Sequence, residues 1–317
     1  MCKENTGKGK SLTEKARELA YMNHIDYIGI APVERFSYAP EGHKPWDLLP
    51  GAESVISMGI RVSLGPQLTQ RIALANQKKL RHVSFSYRWF GYGLLNMYFL
   101  DRAAFLMNRL LEKNGYVSVP IVASGVEDTR SVMGAFSNRH AAVAAGLGEF
   151  GWNGICLTPD VGPRARFVSV ITTAKLDPDP MYSGPRLCDP EKCRKFGQGQ
   201  PLCVAVCPIN CFSHDKTDVV MIGGKKFEYA WMDHMICGKT VGIGLHPLVL
   251  GPKDMVIPKK IDFDTSVKLR AKTPPKVILE TVVYGRGHFC GLCMLRCPIG
   301  APKLVEEMMK GKEPMTL

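Results

Sequence analysis

The chain of 317 residues carries 41 lysines and arginines against 29 acidic residues, a formal charge of +12, with 45% hydrophobic and 22% charged residues. Those proportions are ordinary for a soluble globular protein, and the length admits one large domain and a smaller one. No stretch reaches the roughly eighteen uninterrupted apolar residues of a membrane span, and an N-terminus without an apolar signal core or a twin-arginine pair points to a cytoplasmic location. In chain order, Ser11-Leu12-Thr13-Glu14 is a capping box opening a helix that runs to about Asn23. Tyr27–Ala31 is a short apolar strand ended by Pro32, residues 42–51 form a Pro/Gly-rich loop, and Ser54–Val62 is a buried strand. Apolar residues recur at helical spacing from Tyr92 to Asn114, where Gly115 closes the helix. Val117–Val122 is a further strand and Ser131–Ala145 an Ala-rich helix stopped by Gly146. Gly154–Leu157 and Arg166–Thr173 are strands around a turn at Pro159–Pro163. This alternation over residues 1–178 predicts a layered α/β or α+β domain. A Pro/Asp/Gly-rich linker, Asp177–Pro185, leads into a second domain, residues 179–317.

Cysteine organises the last third. Of 11 cysteines, Cys2 sits in a polar tail, Cys156 in an apolar strand and Cys211 just past a Cys-Pro pair. The rest are Cys188, Cys193, Cys203, Cys207, Cys237, Cys290, Cys293 and Cys297. The ending Cys-x3-Cys-Pro occurs twice, at Cys203–Pro208 and Cys293–Pro298. In bacterial two-cluster runs with this ending, the cysteine before proline ligates the other iron–sulfur cluster. By that crossing, one cluster takes Cys188, Cys193, Cys203 and Cys297, and the other takes Cys207, Cys290, Cys293 and the isolated Cys237. Two zinc sites are the alternative, since Cys-x2-Cys suits tetrahedral zinc, but zinc has no use for paired Cys-x3-Cys-Pro endings. A disulfide framework suits a short secreted chain, not this one. The first motif is stretched, with spacers of four and nine residues. Two oxidised clusters of about −2 each leave a surplus of about +8. That surplus suits nucleic acid, an acidic cofactor, or an acidic electron donor such as ferredoxin or flavodoxin. The basic residues are dispersed, and no RNA-recognition motif is present.

Gly146-Leu147-Gly148-Glu149-Phe150-Gly151 has the form Gly-x-Gly-x-x-Gly. It follows a helical segment instead of a strand and lacks an acidic residue about twenty positions on, so it does not read as a dinucleotide site. Glycines let a backbone turn sharply and approach a ligand closely. The loop reads as a cradle for a different cofactor, with a tight connection in the core as the alternative.

These residues together resemble the superfamily of cobalamin-dependent reductive dehalogenases and epoxyqueuosine reductases. The resemblance rests on Tyr27–Pro32 (YIGIAP), Leu49–Val62, Ala144–Thr173 and the cysteine segment with Cys237 as its detached member. It implies a nitroreductase-like corrinoid-binding domain followed by a ferredoxin-like domain holding two [4Fe-4S] clusters. It also implies cobalamin bound base-off beside the Gly-rich segment, with Gly146, Gly148, Glu149, Gly151, Asn153, Pro163 and Arg164 as cofactor-side candidates. No Asp-x-His-x-x-Gly motif is present to supply a lower histidine. The activity implied is reductive, dehalogenase-like cleavage of a small organic substrate, with electrons passing from the clusters to cobalt. Family dehalogenases use a tyrosine as proton donor with a cation nearby. The candidates are Tyr87 and Tyr92, with Arg130, Arg139 or His140 as helper, and core packing is the plain alternative for each tyrosine and for His140. Epoxyqueuosine reductases instead place a catalytic Asp before the Gly-rich loop. That place falls on Val132 or a neighbour, with Glu127 and Asp128 about one helical turn too early, so tRNA is the less favoured partner. A two-cluster electron carrier without corrinoid is the non-enzymatic reading.

Overall fold

The computed structural model describes residues 10–75, 81–125, 133–242, 262–272, 275 and 290–312. The capping box forms as the sequence predicts: Glu14 N donates to Ser11 Oγ at 3.2 Å and Ser11 N to Glu14 Oε2 at 2.7 Å. It opens helix α1, Leu12–Met22. Strands β1 (Tyr27–Pro32) and β2 (Ser54–Arg61) follow, and then α2 (Leu64–Ala75). The next helical stretch opens with a 3-10 turn, Arg81–Ser84, and becomes α-helical at Phe85, earlier than expected. It contains two π segments, Trp89–Gly93 and Leu95–Leu100, before α3, Asp101–Lys113. Strand β3 is Ser118–Ile121.

Helix α4 covers Asn138–Ala144 and does not start at Ser131. Gly134 disfavours helix, and Ser137 is extended, with φ −97° and ψ 103°, in the position before the first turn. Strands β4 (Glu149–Phe150) and β5 (Cys156–Leu157) make a two-residue ladder, and β6 is Ala165–Thr172.

The main sheet runs in the order β1-β2-β6-β3 with every pairing antiparallel, so the mixed helix-and-sheet domain is α+β, not parallel α/β. Alternate residues point to opposite faces. Ile28, Ile30, Ile56, Met58, Val168 and Val170 pack with α1 and α3 on one side. Ala31, Val55, Phe167 and Ile171 pack with α4 on the other. Two covered faces explain why β2 and β6 are buried along nearly their whole length.

The cysteine-rich part contains a hairpin that the sequence reading missed, β7 (Phe212–Ile222) paired with β8 (Lys225–Met232). Its turn is Gly223-Gly224, with φ of 53° and 78°. Positive φ at both central residues gives a turn that matches strand twist, and a Gly-Gly pair between β-branched and aromatic runs is the signal that could have revealed it. The hairpin folds back on the sheet domain. Phe150 lies 5.6 Å from Phe227 and 5.2 Å from Tyr229 between ring centroids, and Gly223 N donates to Arg35 O at 3.0 Å. Among the described residues no helix is long and apolar enough to cross a membrane.

Candidate functional site

The eight motif cysteines gather into two neighbouring sets. Cys188 is in electrostatic contact with Cys193 and Cys297, Cys297 with Cys193, and Cys203 with all three. In the second set Cys290 is in contact with Cys207, Cys237 and Cys293, and Cys293 with Cys207 and Cys237. Cys203 and Cys293 connect the sets. By the same measure Cys211 acts on Cys207 and Cys237 and falls with the second set. Burial raises the thiols of Cys188, Cys203, Cys290, Cys293 and Cys297 above their ordinary value. Backbone N–H groups already point at sulfur: Trp152 N donates to Cys188 Sγ at 3.3 Å and Leu202 N to Cys193 Sγ at 3.4 Å. Among the described residues no three ligand-type side chains converge on a single-ion site. Cys211 is closer to this chemistry than its place in the motif implied, since its Sγ lies 3.4 Å from Cys207 Sγ.

Between the second cysteine set and the sheet domain lies a cavity of about 1620 Å³. Pockets for small molecules usually measure about 300–1,000 Å³, so this one is large enough for a macrocyclic cofactor together with a substrate. Cys237, Cys290 and Cys293 form part of one wall, β7 and β8 contribute Val220, Ile222 and Met232, and the sheet domain closes the opposite side. The π segments contribute Tyr92 and Asn96. π turns are rare in helices and concentrate at functional sites.

The two candidate tyrosines are placed differently. Tyr92 lines the cavity, and its hydroxyl is 2.5 Å from Ser124 Oγ. Tyr87 is fully buried, its hydroxyl packed beneath Gly291, where φ is 66° and a methyl would overlap the phenol oxygen. Burial holds the Tyr87 phenol above its usual pKa. Arg166, which the sequence reading did not select, joins the two. Its guanidinium carbon is 4.6 Å from the Tyr92 ring centroid, and Nη2 donates to Tyr87 Oη at 3.3 Å. Its only sequence signal was a position two residues after Arg164 at the start of a strand.

Arg139 and His140 also line the cavity. Arg139 Nη1 donates to Gly154 O at 3.1 Å. His140 Nδ1 is 2.6 Å from Ser137 Oγ, and its ring meets Phe150 edge-on at 4.9 Å. Burial, followed by the charge of Arg139, pushes the imidazole down to about 3, so it is neutral near pH 7. Arg130, together with Glu127, Asp128 and Val132, lies outside the described residues.

Of the Gly-rich segment, Asn153 lines the cavity and its Nδ2 donates to Cys293 O at 3.3 Å. Gly146, Gly148, Glu149, Gly151, Pro163 and Arg164 are placed around it. Gly146 has φ 80° and packs on Pro180 O, and Gly148 passes so close to Leu157 O that a methyl group has no room. Gly151 lies against Leu157 and Asn153, and Pro163 is buried. Glu149 accepts from Leu187 N and, at 3.3 Å, from Cys188 N, fixing the first cysteine of the run. Arg164 is 1% exposed and donates to Ile299 O at 2.9 Å, to Leu295 O at 3.0 Å and to Cys297 O at 2.5 Å. The segment therefore connects the sheet domain to both cysteine sets.

No protein-family model matches the chain. Over 85 residues the chain is 41% identical to the tetrachloroethene reductive dehalogenases of Desulfitobacterium hafniense and Dehalobacter restrictus. The match covers 25% of this chain and 13% of the length of those relatives. Similar solved structures include a catabolic reductive dehalogenase, 18% identical, covering 92% of this chain and 39% of that one with a TM-score of 0.48. They also include an epoxyqueuosine reductase with a modified tRNA stem loop, 16% identical, covering 96% and 68% with a TM-score of 0.45. Relatives and structural neighbours thus include both groups that the motifs resemble.

Proposed function

We propose that the chain is an oxidoreductase that uses a corrinoid and two [4Fe-4S] clusters to cleave a small organic substrate reductively, in the manner of a dehalogenase. The observation that carries this reading is the large cavity walled by Cys237, Cys290 and Cys293. Eight thiols in two sets of four suit two clusters, in which each thiolate binds its own iron. The cavity suits a corrinoid by size and by its amide and hydroxyl groups, among them Asn96, Asn138, Asn153 and Ser124. Bound cobalamin supplies a cobalt centre at which a carbon–halogen bond can be broken with two electrons, one proton entering and halide leaving.

The chain's own residues do the rest. The set containing Cys237, Cys290 and Cys293 would hold the cluster that faces the cavity, and the set containing Cys188 and Cys193 would hold the cluster that takes electrons from ferredoxin or flavodoxin. Tyr92, held by Ser124, offers its phenolic proton to the cavity. Arg166 stacks on the Tyr92 ring and stabilises the phenolate left behind. Gly148 and Glu149 hold the connection that keeps Asn153 and the cysteine sets in register.

The test is iron, acid-labile sulfide and cobalt analysis of protein produced without oxygen and with cobalamin supplied. About eight iron and one cobalt per chain are expected. Eight iron with no cobalt overturns the corrinoid reading in favour of a two-cluster electron carrier.

A further inference from the structure

The second cysteine set holds one thiol more than a cluster needs. A [4Fe-4S] cluster takes four cysteine thiolates, and Cys207, Cys237, Cys290 and Cys293 supply them under the crossed assignment. Cys211 stands among these four. Its Sγ is 3.4 Å from Cys207 Sγ, and its thiol is also in hydrogen-bonding contact with the Cys237 side chain. The backbone holds it there. After Cys207-Pro208 the chain turns back on itself: Asn210 N donates to Cys207 O at 3.3 Å, and Asn210 takes the left-handed conformation with φ 48°, which asparagine adopts more readily than most residues. Residue 211 is thereby folded over residue 207. Asp233 then fastens it to the helical turn that carries Cys237, since Asp233 N donates to Cys211 O at 2.8 Å and Cys237 N to Asp233 O at 3.0 Å. Cys211 is 3% exposed and packs with Phe212, Ala230 and Ile236.

We propose that Cys207 and Cys211 are alternative ligands to one iron of the second cluster, which is then held by Cys237, Cys290, Cys293 and one member of an exchangeable pair. This rests on the two-cluster part of the reading above and not on the corrinoid. Each iron takes one thiolate, and two sulfurs in near contact compete for one position instead of filling two. A coordinating thiol is deprotonated, whereas the thiol left over keeps its proton. In the exchange the bond from Cys207 sulfur to iron breaks and the bond from Cys211 sulfur forms. The proton of Cys211 passes to the sulfur of Cys207. No electron is gained or lost, and no further reactant is needed.

The experiment measures iron and acid-labile sulfide on full chains produced without oxygen, with electron paramagnetic resonance of the reduced proteins. Cys207→Ala and Cys211→Ala should each keep about eight iron per chain. The double variant should fall to about four, as should Cys290→Ala, which removes a ligand that has no substitute. The second-cluster signal should change shape in Cys207→Ala, where the coordinating sulfur is a different one. About four iron in Cys207→Ala overturns the proposal. Loss of iron in Cys211→Ala overturns it too, by making Cys211 an obligatory ligand. Where Cys207→Ala fails to fold, iron release to a chelator decides between the parent and Cys211→Ala. Release should be several-fold faster in the variant, which cannot recapture iron freed from Cys207, and equal rates overturn the proposal. A parent without iron overturns the two-cluster reading and the exchangeable pair together. Eight iron without cobalt overturns only the corrinoid reading and leaves the pair standing.

Discussion

Two tyrosines five positions apart look equivalent in the sequence, and their surroundings separate them. Tyr92 reaches the cavity, whereas Tyr87 is sealed against Gly291 and Arg166. Tyr92→Phe is expected to lower turnover by about 10²–10⁴-fold, the range for a lost general acid, with iron content unchanged. Tyr87→Phe removes the buried hydroxyl that Arg166 contacts, and costs on the order of 1 kcal/mol of stability. Single-turnover kinetics and thermal unfolding on both variants decide it. Loss of turnover in a stable, iron-replete Tyr87→Phe protein reverses the assignment. Burial, followed by the charge of Arg139, pushes the His140 imidazole down to about 3 and favours its neutral form. The sign of the pH effect follows. The unfolded histidine takes a proton near its ordinary value of 6.5 while the folded one refuses it, so stability present above that value is lost as pH falls towards 3. The unfolding midpoint should therefore decline over this interval and decline less in His140→Phe. An identical acid profile in the two proteins refutes the assignment.

At the scale of elements, the Gly-rich segment is a joint between structures. Gly148 brings β4 against Leu157, and Glu149 then reaches the backbone of Leu187 and Cys188. A methyl group at Gly148 must displace main chain, an overpacking cost of roughly 1–3 kcal/mol. Gly148→Ala should lower the unfolding temperature and weaken retention of the first cysteine set, measured by iron release under a chelator. A variant of wild-type stability contradicts the close packing. The same segment shows what can be read without coordinates. Its glycines signalled close approach, but spacing cannot say whether the thing approached is a ligand or a neighbouring strand. Strand positions 27–32, 54–61 and 165–172 were legible because apolar runs bounded by turn residues admit few alternatives. The start of α4 was not, because alanine content conceals the break at Gly134 and Ser137. The hairpin lies between flanking cysteines whose spacing says nothing of strands, and only its Gly-Gly turn between β-branched and aromatic runs marks it.

The whole molecule depends on contacts that no local pattern encodes. Cysteine spacing predicts two sets through a rule of chain crossing. The cavity wall draws Arg35, Tyr92, Arg139, Arg166 and Cys290 from five separate places in the chain, and their convergence is a property of the folded sheet alone. Arg164 shows how the two parts are fastened. It leaves the sheet domain just before β6 and donates to three carbonyls of residues 295–299, which bracket Cys297. The Leu295 carbonyl is buried and the other two are partly buried around a cationic donor, so removing it leaves the buried one unsatisfied at about 1–3 kcal/mol and weakens the others. Under the crossed assignment Cys297 is the member of the first set contributed by the second Cys-x3-Cys-Pro ending, and is therefore the thiol expected to depend most on this clamp. Arg164→Met keeps the side-chain volume approximately and deletes the donors. The sheet core, which packs through β1, β2 and β6, should keep its far-UV circular dichroism. Iron should fall from about eight towards about four per chain as the set of Cys188, Cys193, Cys203 and Cys297 loses its cluster. Electron paramagnetic resonance of the reduced protein is then expected to report one cluster signal in the variant and two in the parent. Full iron and an unchanged spectrum in the variant mean that the cysteines hold their geometry without the clamp, and that the two parts of the chain assemble independently of Arg164.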